Sequence, residues 1–293
     1  MTPAQHPFRV TSAFEIVPNI SEGRDPAIVD ACAAAIAGAG ARVVDRTSDA
    51  VHHRSVITAL GSAHEAVAAA VALARAVRDR IDLRTHRGAH PRIGALDVLP
   101  FVPLRAATLD DAVTLAHRAA AQIWDELRIP SFLFGAAATA THRTLLADVR
   151  HGEFEGLMRK LEDPRWAFDY GDAPHARAGA IAIGARPILI AFNVELETPD
   201  LGVARRIAAL LRERDGGLRT LRALGIRLND HRVQVSFNVT DFEATPLYRV
   251  RELVRRLAAR EGVAIGRSEL IGLAPLAALE RTARAYAAPD GPK

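Results

Sequence analysis

The chain has 293 residues, 49% of them hydrophobic, so it is long enough to bury one large core or two of ordinary size. Its single cysteine, Cys32, excludes a disulfide framework and a cysteine-based zinc cage within one chain. The formal net charge of +4 comes almost entirely from arginines that stand beside acidic residues along the chain, which favours solvated helix faces over a nucleic-acid-binding surface.

The first half of the sequence alternates between strand and helix patterns. Residues 14–20 form a β-branched apolar run that ends in a polar loop. Asp25 and Pro26 then begin a helix through residue 39, because Asp is a good N-cap and Pro fits the first turn. The other predicted elements of this half are strands at 41–47, 54–61, 95–104 and 131–137 and helices at 64–79 and 109–127.

The second half repeats the theme, with strands at 187–196, 226–230, 232–239 and 263–273 and helices at 200–214, 246–260 and 277–287. This βαββαβ order matches a ferredoxin-like unit. We therefore predict an α/β (α+β) fold of two ferredoxin-like subdomains, 14–184 and 185–288, after an N-terminal tail of residues 1–13. Helices on one face leave the other face of each sheet bare, so the two sheets are predicted to face each other across a ligand cleft.

The densest group of reactive side chains lies in RTHRGAHPR, residues 84–92. His86 and His90 are four apart, as in a zinc-binding helix, but Gly88 and Pro91 make a helix the wrong local structure, and we expect no metal. Two interpretations stay open. Both histidines can bond to backbone in a tight loop, or an imidazole among arginines can move a proton on a bound anion.

Two further polar segments are candidates for binding. His52 and His53 precede Arg54 in a turn between two strands, where they are either exposed or in contact with a ligand. The segment 168–186 is rich in glycine and small residues, a composition that suits both close approach to a ligand and a connector between domains.

Several other signatures are missing from the sequence. No GxGxxG follows a strand, and neither GxxxxGK[ST] nor GxSxG occurs, so nucleotide binding and serine hydrolysis have no support. The opening MTPAQHPFRV lacks the apolar core of a signal peptide, and no apolar run reaches membrane-spanning length. We expect a cytoplasmic protein without a membrane partner.

Taken together, four segments resemble the glutamate formiminotransferase (formimidoyltransferase) family, which also forms the N-terminal transferase domain of formiminotransferase-cyclodeaminase. The resemblance runs from about residue 14 to residue 286. The segments are IVPNISEGRD (16–25), RTHRGAHPRIGALDVLPFVPL (84–104), HGEFEGL through FDYGD (151–172) and GAIAIGARPILIAFNVEL (179–196).

The resemblance implies transfer of the formimino group of N-formimino-L-glutamate to N5 of tetrahydrofolate, in histidine degradation and one-carbon metabolism. It implies tetrahydrofolate as co-substrate, folate bound between the two subdomains, and a homodimer. Its catalytic histidine corresponds to His90, which we expect to shuttle a proton with a pKa near neutrality. The substrate- and folate-binding residues expected on this basis are Asn19, Ser21, His53, Arg54, Arg92, Gly171, Asp172, Pro174, His175 and Gly179.

The sequence also departs from the family pattern. Acids usual in the family are replaced by Thr47, Ala89 and Ala136. Carboxylates there would orient the histidine or compensate positive charge, so their loss is expected to weaken catalysis or change the substrate. Asp49 and His52 are candidates to compensate. A folate- or anion-binding homologue, with an altered donor such as a formyl group or with catalysis lost, stays open as the alternative.

Overall fold

The computed structural model describes residues 12–288 and residue 291. It contains two compact units that divide between Pro187 and Ile188. The mixed α/β class with one sheet in each unit is confirmed. Residues 1–11 of the predicted tail lie outside the described residues, and the facing of the two sheets across a cleft stays a prediction.

The first unit has a seven-stranded sheet and five α-helices among its described residues. Its strands are β1 (Phe14–Ile16), β2 (Asn19–Ile20), β3 (Arg42–Asp49), β4 (Arg54–Gly61), β5 (Leu96–Pro103), β6 (Ser131–Gly135) and β7 (Ile181–Ala185). Its helices are α1 (Pro26–Gly38), α2 (Ala63–Arg80), α3 (Leu109–Leu127), α4 (Leu146–Arg150) and α5 (Leu157–Lys160).

The sheet of the first unit combines an antiparallel and a parallel part. Strand β4 pairs antiparallel with β1, β2 and β3, and β1 and β2 also pair antiparallel with β5. On the other side of β5, strands β7 and β6 continue the sheet in parallel. The first unit is therefore larger than the four-stranded βαββαβ unit predicted for it.

Strand β7 was not predicted from the sequence patterns, and neither were the short helices α4 and α5. The residues of β7 are all buried, although they lie in the segment 168–186 that was interpreted as a glycine-rich loop or connector. The predicted boundary between residues 184 and 185 falls inside this strand. The apolar core Ile181-Ala182-Ile183 is only three residues long and is flanked by small residues, so its strand signal was weak.

Both faces of the first sheet carry helices, which corrects the expectation of one covered face. Helices α1, α2 and α3 pack on one face and form the main core with it. A separate apolar cluster lies on the β5–β7–β6 part, where Val149 of α4 and Leu157 of α5 pack with Phe132 and Phe134. The chain between β6 and β7 therefore folds back over the sheet.

The second unit has the predicted βαββαβ order, followed by a last helix. Its sheet is antiparallel throughout, with the strand order β11-β8-β10-β9. Its elements are β8 (Ile190–Leu196), α6 (Leu201–Leu211), β9 (Leu221–Arg227), β10 (Val233–Val239), α7 (Leu247–Arg260), β11 (Ile265–Ile271) and α8 (Leu276–Ala287).

A search of the described residues finds no helix with the length and apolarity needed to cross a membrane.

The burial of β7 predicts a large cost for truncating it. Ile183 is fully buried between β5 and β6, so Ile183→Ala should lower the free energy of unfolding by about 2–5 kcal/mol through lost burial and a cavity. Urea-induced unfolding measures this change. The matched control is Met158→Ala at a side chain that is 68% exposed, which should change stability by less than about 0.5 kcal/mol. Equal, small effects of both substitutions would show that 181–185 is a loop.

Candidate active site

The candidate site lies at the edge of the first sheet where β5 and β7 begin. The segment from α2 to β5 contains the RTHRGAHPR cluster and is anchored on both sides. The backbone N–H of Ser21 donates to Ala95 O at 2.8 Å, and its hydroxyl donates to Gly94 O at 2.7 Å. Gly94 in turn pairs with Gly179, so the segments around residues 21, 90 and 179 meet at this edge.

A close backbone contact fixes the position of the cluster against the turn between β3 and β4. A Cβ atom on Gly88 would lie 2.4 Å from His52 O, and one on Gly94 would lie 2.1 Å from Ala180 O. Both distances are far below van der Waals contact, so only glycine permits this packing. The turn that carries His52, His53 and Arg54 is therefore held directly against the loop that carries His90.

His90 and Arg54 form the central contact of the site. Arg54 Nη1 lies 2.5 Å from His90 Nε2. Because a guanidinium can only donate, Nε2 must accept with its lone pair, and the imidazole is neutral with its proton on Nδ1. Burial, followed by the charges of Arg54 and Arg150, lowers the pKa of His90 to about 3. The expectation of a pKa near neutrality is therefore wrong for this arrangement.

Arg54 is a half-buried cation with unused hydrogen-bonding capacity. Burial and the neighbouring Arg150 lower the pKa of Arg54 to about 10. Its Nε atom is buried and has no hydrogen-bond partner among the described residues, and none of their carboxylates lies within 4.0 Å of its guanidinium. Arg150, by contrast, is paired with Asp97, at 2.9 Å from Nε and 2.5 Å from Nη2. Arg54 is thus a candidate guanidinium for an anionic ligand.

His53 and His86 form a stacked pair in the turn and loop that carry Arg54 and His90. Their ring centroids are 4.1 Å apart. Both nitrogens of His53 are within hydrogen-bond distance of a partner, Nδ1 at 3.0 Å from Arg87 O and Nε2 at 3.1 Å from Glu22 Oε1. His86 Nε2 lies 3.0 Å from His53 O, so the second histidine of the pair ties the loop to the turn. The two rings therefore connect the loop that carries His90 with the turn before β4.

Glu22 holds the chain after β2 in place. Its Oε1 accepts the backbone N–H groups of Gly23, Arg24 and Asp25 at 2.9, 2.7 and 3.0 Å. Burial raises the pKa of Glu22, but these hydrogen bonds and His53 outweigh burial and hold the pKa below its ordinary value. An ionised carboxylate therefore contacts the stacked histidine pair through His53.

The contacts of Arg92 favour a supporting role over the substrate binding expected from the sequence. Its guanidinium donates to Glu153 at 3.1 Å and to Glu155 at 2.7 and 2.8 Å, and its Nε donates to His86 Nδ1 at 3.2 Å. These partners occupy the donors that a substrate carboxylate would need. We therefore reassign Arg92 from substrate binding to positioning the His86–His90 loop.

Of the remaining predicted residues, Asn19 supports the backbone near the site, and the others lie in the loop from residue 171 to residue 179. Asn19 Nδ2 donates to Val17 O at 2.8 Å, so its amide supports the break between β1 and β2. His175 pairs with Gly179, and its Nδ1 accepts two backbone N–H groups at 3.2 and 3.0 Å. Gly171 packs against Pro130, away from the His90 loop, and the exposed Asp172 and the half-buried Pro174 lie between these two points.

Three residues of the site were missed in the sequence. Asp97 is 2% exposed, and its Oδ1 accepts the backbone N–H of Ile93 at 2.8 Å. A single acid within the apolar run ALDVLPF was a signal for such a buried pair, whereas nothing local connected it to Arg150, 53 residues away. Glu22 lies in the segment IVPNISEGRD, but it was missed because its partner His53 is 31 residues away.

The substituted family positions do not contribute acids to the site. Thr47 lies on β3, Ala89 is exposed beside His90, and Ala136 follows β6. Asp49 is two residues beyond Thr47 on the same strand and contacts His52. In the parts of the chain that the structure describes, no group of three His, Cys, Asp or Glu side chains has the geometry to hold a metal ion.

Comparison with known proteins connects both units to one family. Residues 13–186 match the formiminotransferase domain, N-terminal subdomain, and residues 191–291 match the formiminotransferase domain. The chain is 42% identical to a glutamate formimidoyltransferase of Streptococcus pyogenes serotype M1, covering 93% of the chain and 92% of the relative. Identity is also 42% to a glutamate formimidoyltransferase of Thermoplasma acidophilum, covering 94% and 92%.

A longer relative matches over part of its length. The chain is 38% identical to formimidoyltransferase-cyclodeaminase of Rattus norvegicus, with 94% of the chain aligned to 53% of that protein. The chain therefore spans about half of this relative.

The contact between Arg54 and His90 predicts an unusual titration. At about pH 5, below the ordinary histidine pKa of about 6.5, His90 should still be neutral with its proton on Nδ1, because Arg54 occupies Nε2 and opposes a second charge. In Arg54→Met the pKa of His90 should rise. Imidazole ¹⁵N chemical shifts measured against pH test both statements. The control is Arg46→Met, at an exposed site on β3, which should leave the titration of His90 unchanged. An unchanged titration of His90 in Arg54→Met as well would show that the contact between Arg54 and His90 does not form.

Proposed function

The chain belongs to the formiminotransferase family, and on that premise we propose that it transfers the formimino group of N-formimino-L-glutamate to N5 of tetrahydrofolate, with His90 as a proton-transfer group. The observation that carries this proposal is the pair formed by His90 and Arg54. It places an imidazole beside a half-buried guanidinium whose Nε has no partner among the described residues, and it offers both a proton acceptor and an anion site.

Arg54 is suited to a carboxylate of N-formimino-glutamate. A guanidinium binds a carboxylate through two parallel hydrogen bonds, and such charge-assisted bonds are strong where water is excluded. Pairing with a substrate carboxylate would neutralise the charge that opposes protonation of His90 and draw Nη1 away from Nε2. Substrate binding would thereby raise the pKa of His90 and expose the lone pair that the reaction uses.

The chemistry requires a proton acceptor near N5. The N5 lone pair attacks the amidine carbon and forms a new C–N bond, after which N5 gives up its proton to His90 Nε2. The tetrahedral carbon then expels glutamate, and the leaving nitrogen takes a proton as the C–N bond breaks. General base catalysis of this kind contributes about 10²–10⁴-fold to a rate.

Tetrahydrofolate is the co-substrate in this proposal. The segment from Gly171 to Gly179 is proposed to contact the pterin, and its pairing with Gly94 supports a location next to the His90 loop. The binding of folate between the two subdomains and the homodimer implied by the family resemblance are also proposals.

The first test is turnover. Wild-type protein should convert N-formimino-L-glutamate and tetrahydrofolate, and His90→Gln should lower kcat by about 10²–10⁴-fold because the proton acceptor is lost. The product 5-formiminotetrahydrofolate is measured by its absorbance after acid conversion to methenyltetrahydrofolate. Turnover of N-formyl-glutamate, but not of N-formimino-L-glutamate, by wild-type protein would identify a formyl transferase. Saturable folate binding without turnover of either donor would identify the binding homologue.

The second test separates the anion site from the base. Arg54→Met should raise the KM for N-formimino-glutamate by about 10–100-fold, since a hydrogen bond to a charged group is worth about 1.5–3 kcal/mol. It should leave the KM for tetrahydrofolate within about threefold, because the anion that Arg54 binds belongs to the donor. Steady-state kinetics with each substrate varied gives both values, with Arg46→Met as the exposed control. An unchanged KM for the donor would exclude Arg54 from its carboxylate.

A further inference from the structure

The proposed reaction moves protons at two nitrogens, and His90 accounts for one of them. N5 must lose a proton, and the departing glutamate nitrogen must gain one. In the free protein Arg54 donates to His90 Nε2, and both neighbouring cations oppose protonation of the ring, so His90 carries no proton on Nε2 that it could give to the leaving group. A second group that can carry a proton is needed on the other side of the reacting carbon.

We propose that His52, oriented by Asp49, is a second catalytic residue, which donates a proton from Nε2 to the leaving glutamate nitrogen. This inference rests on the proposed function and assigns a residue that the reaction needs beyond His90.

Asp49 fixes the orientation of the His52 ring. One carboxylate oxygen, Oδ1, accepts the backbone N–H groups of Val51 and His52, both at 2.8 Å. The other, Oδ2, lies 2.7 Å from His52 Nδ1. Burial raises the pKa of Asp49, but these hydrogen bonds outweigh it and keep the pKa below its ordinary value, so the carboxylate is ionised. A carboxylate at Nδ1 orients the ring and leaves Nε2 as the nitrogen that can meet a ligand.

The position of His52 suits the second proton transfer. Its ring centroid lies 6.3 Å from that of His90, edge to face, in the turn that leads into β4 and Arg54. A proton donor acts from about 2.6–3.2 Å, so two rings at this separation can each reach a different nitrogen bonded to one carbon. The His52 side chain is 44% exposed, so it can recover its proton from water after each turnover.

The neighbouring histidines are committed to other contacts. His53 has a partner at each ring nitrogen, Arg87 O and Glu22 Oε1. His86 lies between His53 O and the Nε of Arg92. Counting contacts with the described residues, His52 is therefore the neighbour of His90 that keeps a ring nitrogen free.

The proton balance closes over one turnover. The C–N bond to glutamate breaks, its electron pair stays on the glutamate nitrogen, and that nitrogen takes the proton from His52 Nε2. His90 holds the proton taken from N5. His52 then takes up a proton and His90 releases one, so no oxidant or additional reactant is required.

The test uses two substitutions that keep part of the ring's geometry. In His52→Asn the side-chain amide can still donate to Asp49, and in His52→Gln it can reach the position of Nε2, but neither can transfer a proton. Both should lower kcat by about 10²-fold or more while the KM for each substrate changes by less than about threefold. The control His64→Gln, at an exposed histidine at the start of α2, should keep wild-type kinetics. Thermal melting shows whether each variant folds.

The outcomes distinguish this inference from the proposed function. Loss of kcat in both folded variants, with wild-type turnover intact, supports His52 as the proton donor. Wild-type kcat in either folded variant overturns the inference and leaves the proposed function standing, and a change confined to KM also overturns it because it assigns His52 to binding. If wild-type protein turns over neither donor, the proposed function fails and the inference fails with it.

Discussion

A half-buried guanidinium, without a carboxylate partner in the part of the chain that the structure describes, determines the character of the site. Arg54 donates to His90 Nε2 and keeps that imidazole neutral, while its own Nε has no partner among the same residues. Isolating a cation in this way costs free energy, and proteins usually compensate by pairing it. A carboxylate-bearing donor substrate would provide that pairing at the moment when the base is needed. The same interaction would therefore couple recognition of the substrate to activation of His90.

The contacts around this pair keep its geometry fixed. Glu22, His53, His86 and Arg92 form a continuous set of hydrogen bonds from the end of β2 to the loop after α2, and Glu155 closes it at the outer end. Ionised groups at each end and stacked rings in the middle limit how the loop can move. Such support matters because a shift of about 1 Å in a catalytic group can cost about 10²-fold in rate.

The sequence predicted most of the elements because their signals are local. The capped helices α1, α2 and α3 and most of the strands follow from residues within a few positions of each other, and the structure gives them similar bounds. The strand predicted at 226–230 is an exception, because β9 begins five residues earlier and ends at Arg227. Strand β7 was missed because Ile181–Ala185 becomes a strand through its position between β5 and β6. The contacts of Arg92 were not predicted because its partners Glu153 and Glu155 are more than 60 residues away.

The substituted family positions are easier to understand once charge is considered over the whole site. Thr47 and Ala89 carry no charge in the strand and loop of the site, whereas Ala136 follows β6, at the opposite end of the parallel strands from the start of β5. Burial and then the charges of Arg54 and Arg150 lower the pKa of His90. Here the negative charge nearest to a second imidazole is on Asp49, in contact with His52. Division of proton acceptance and proton donation between two histidines follows from this placement of charge.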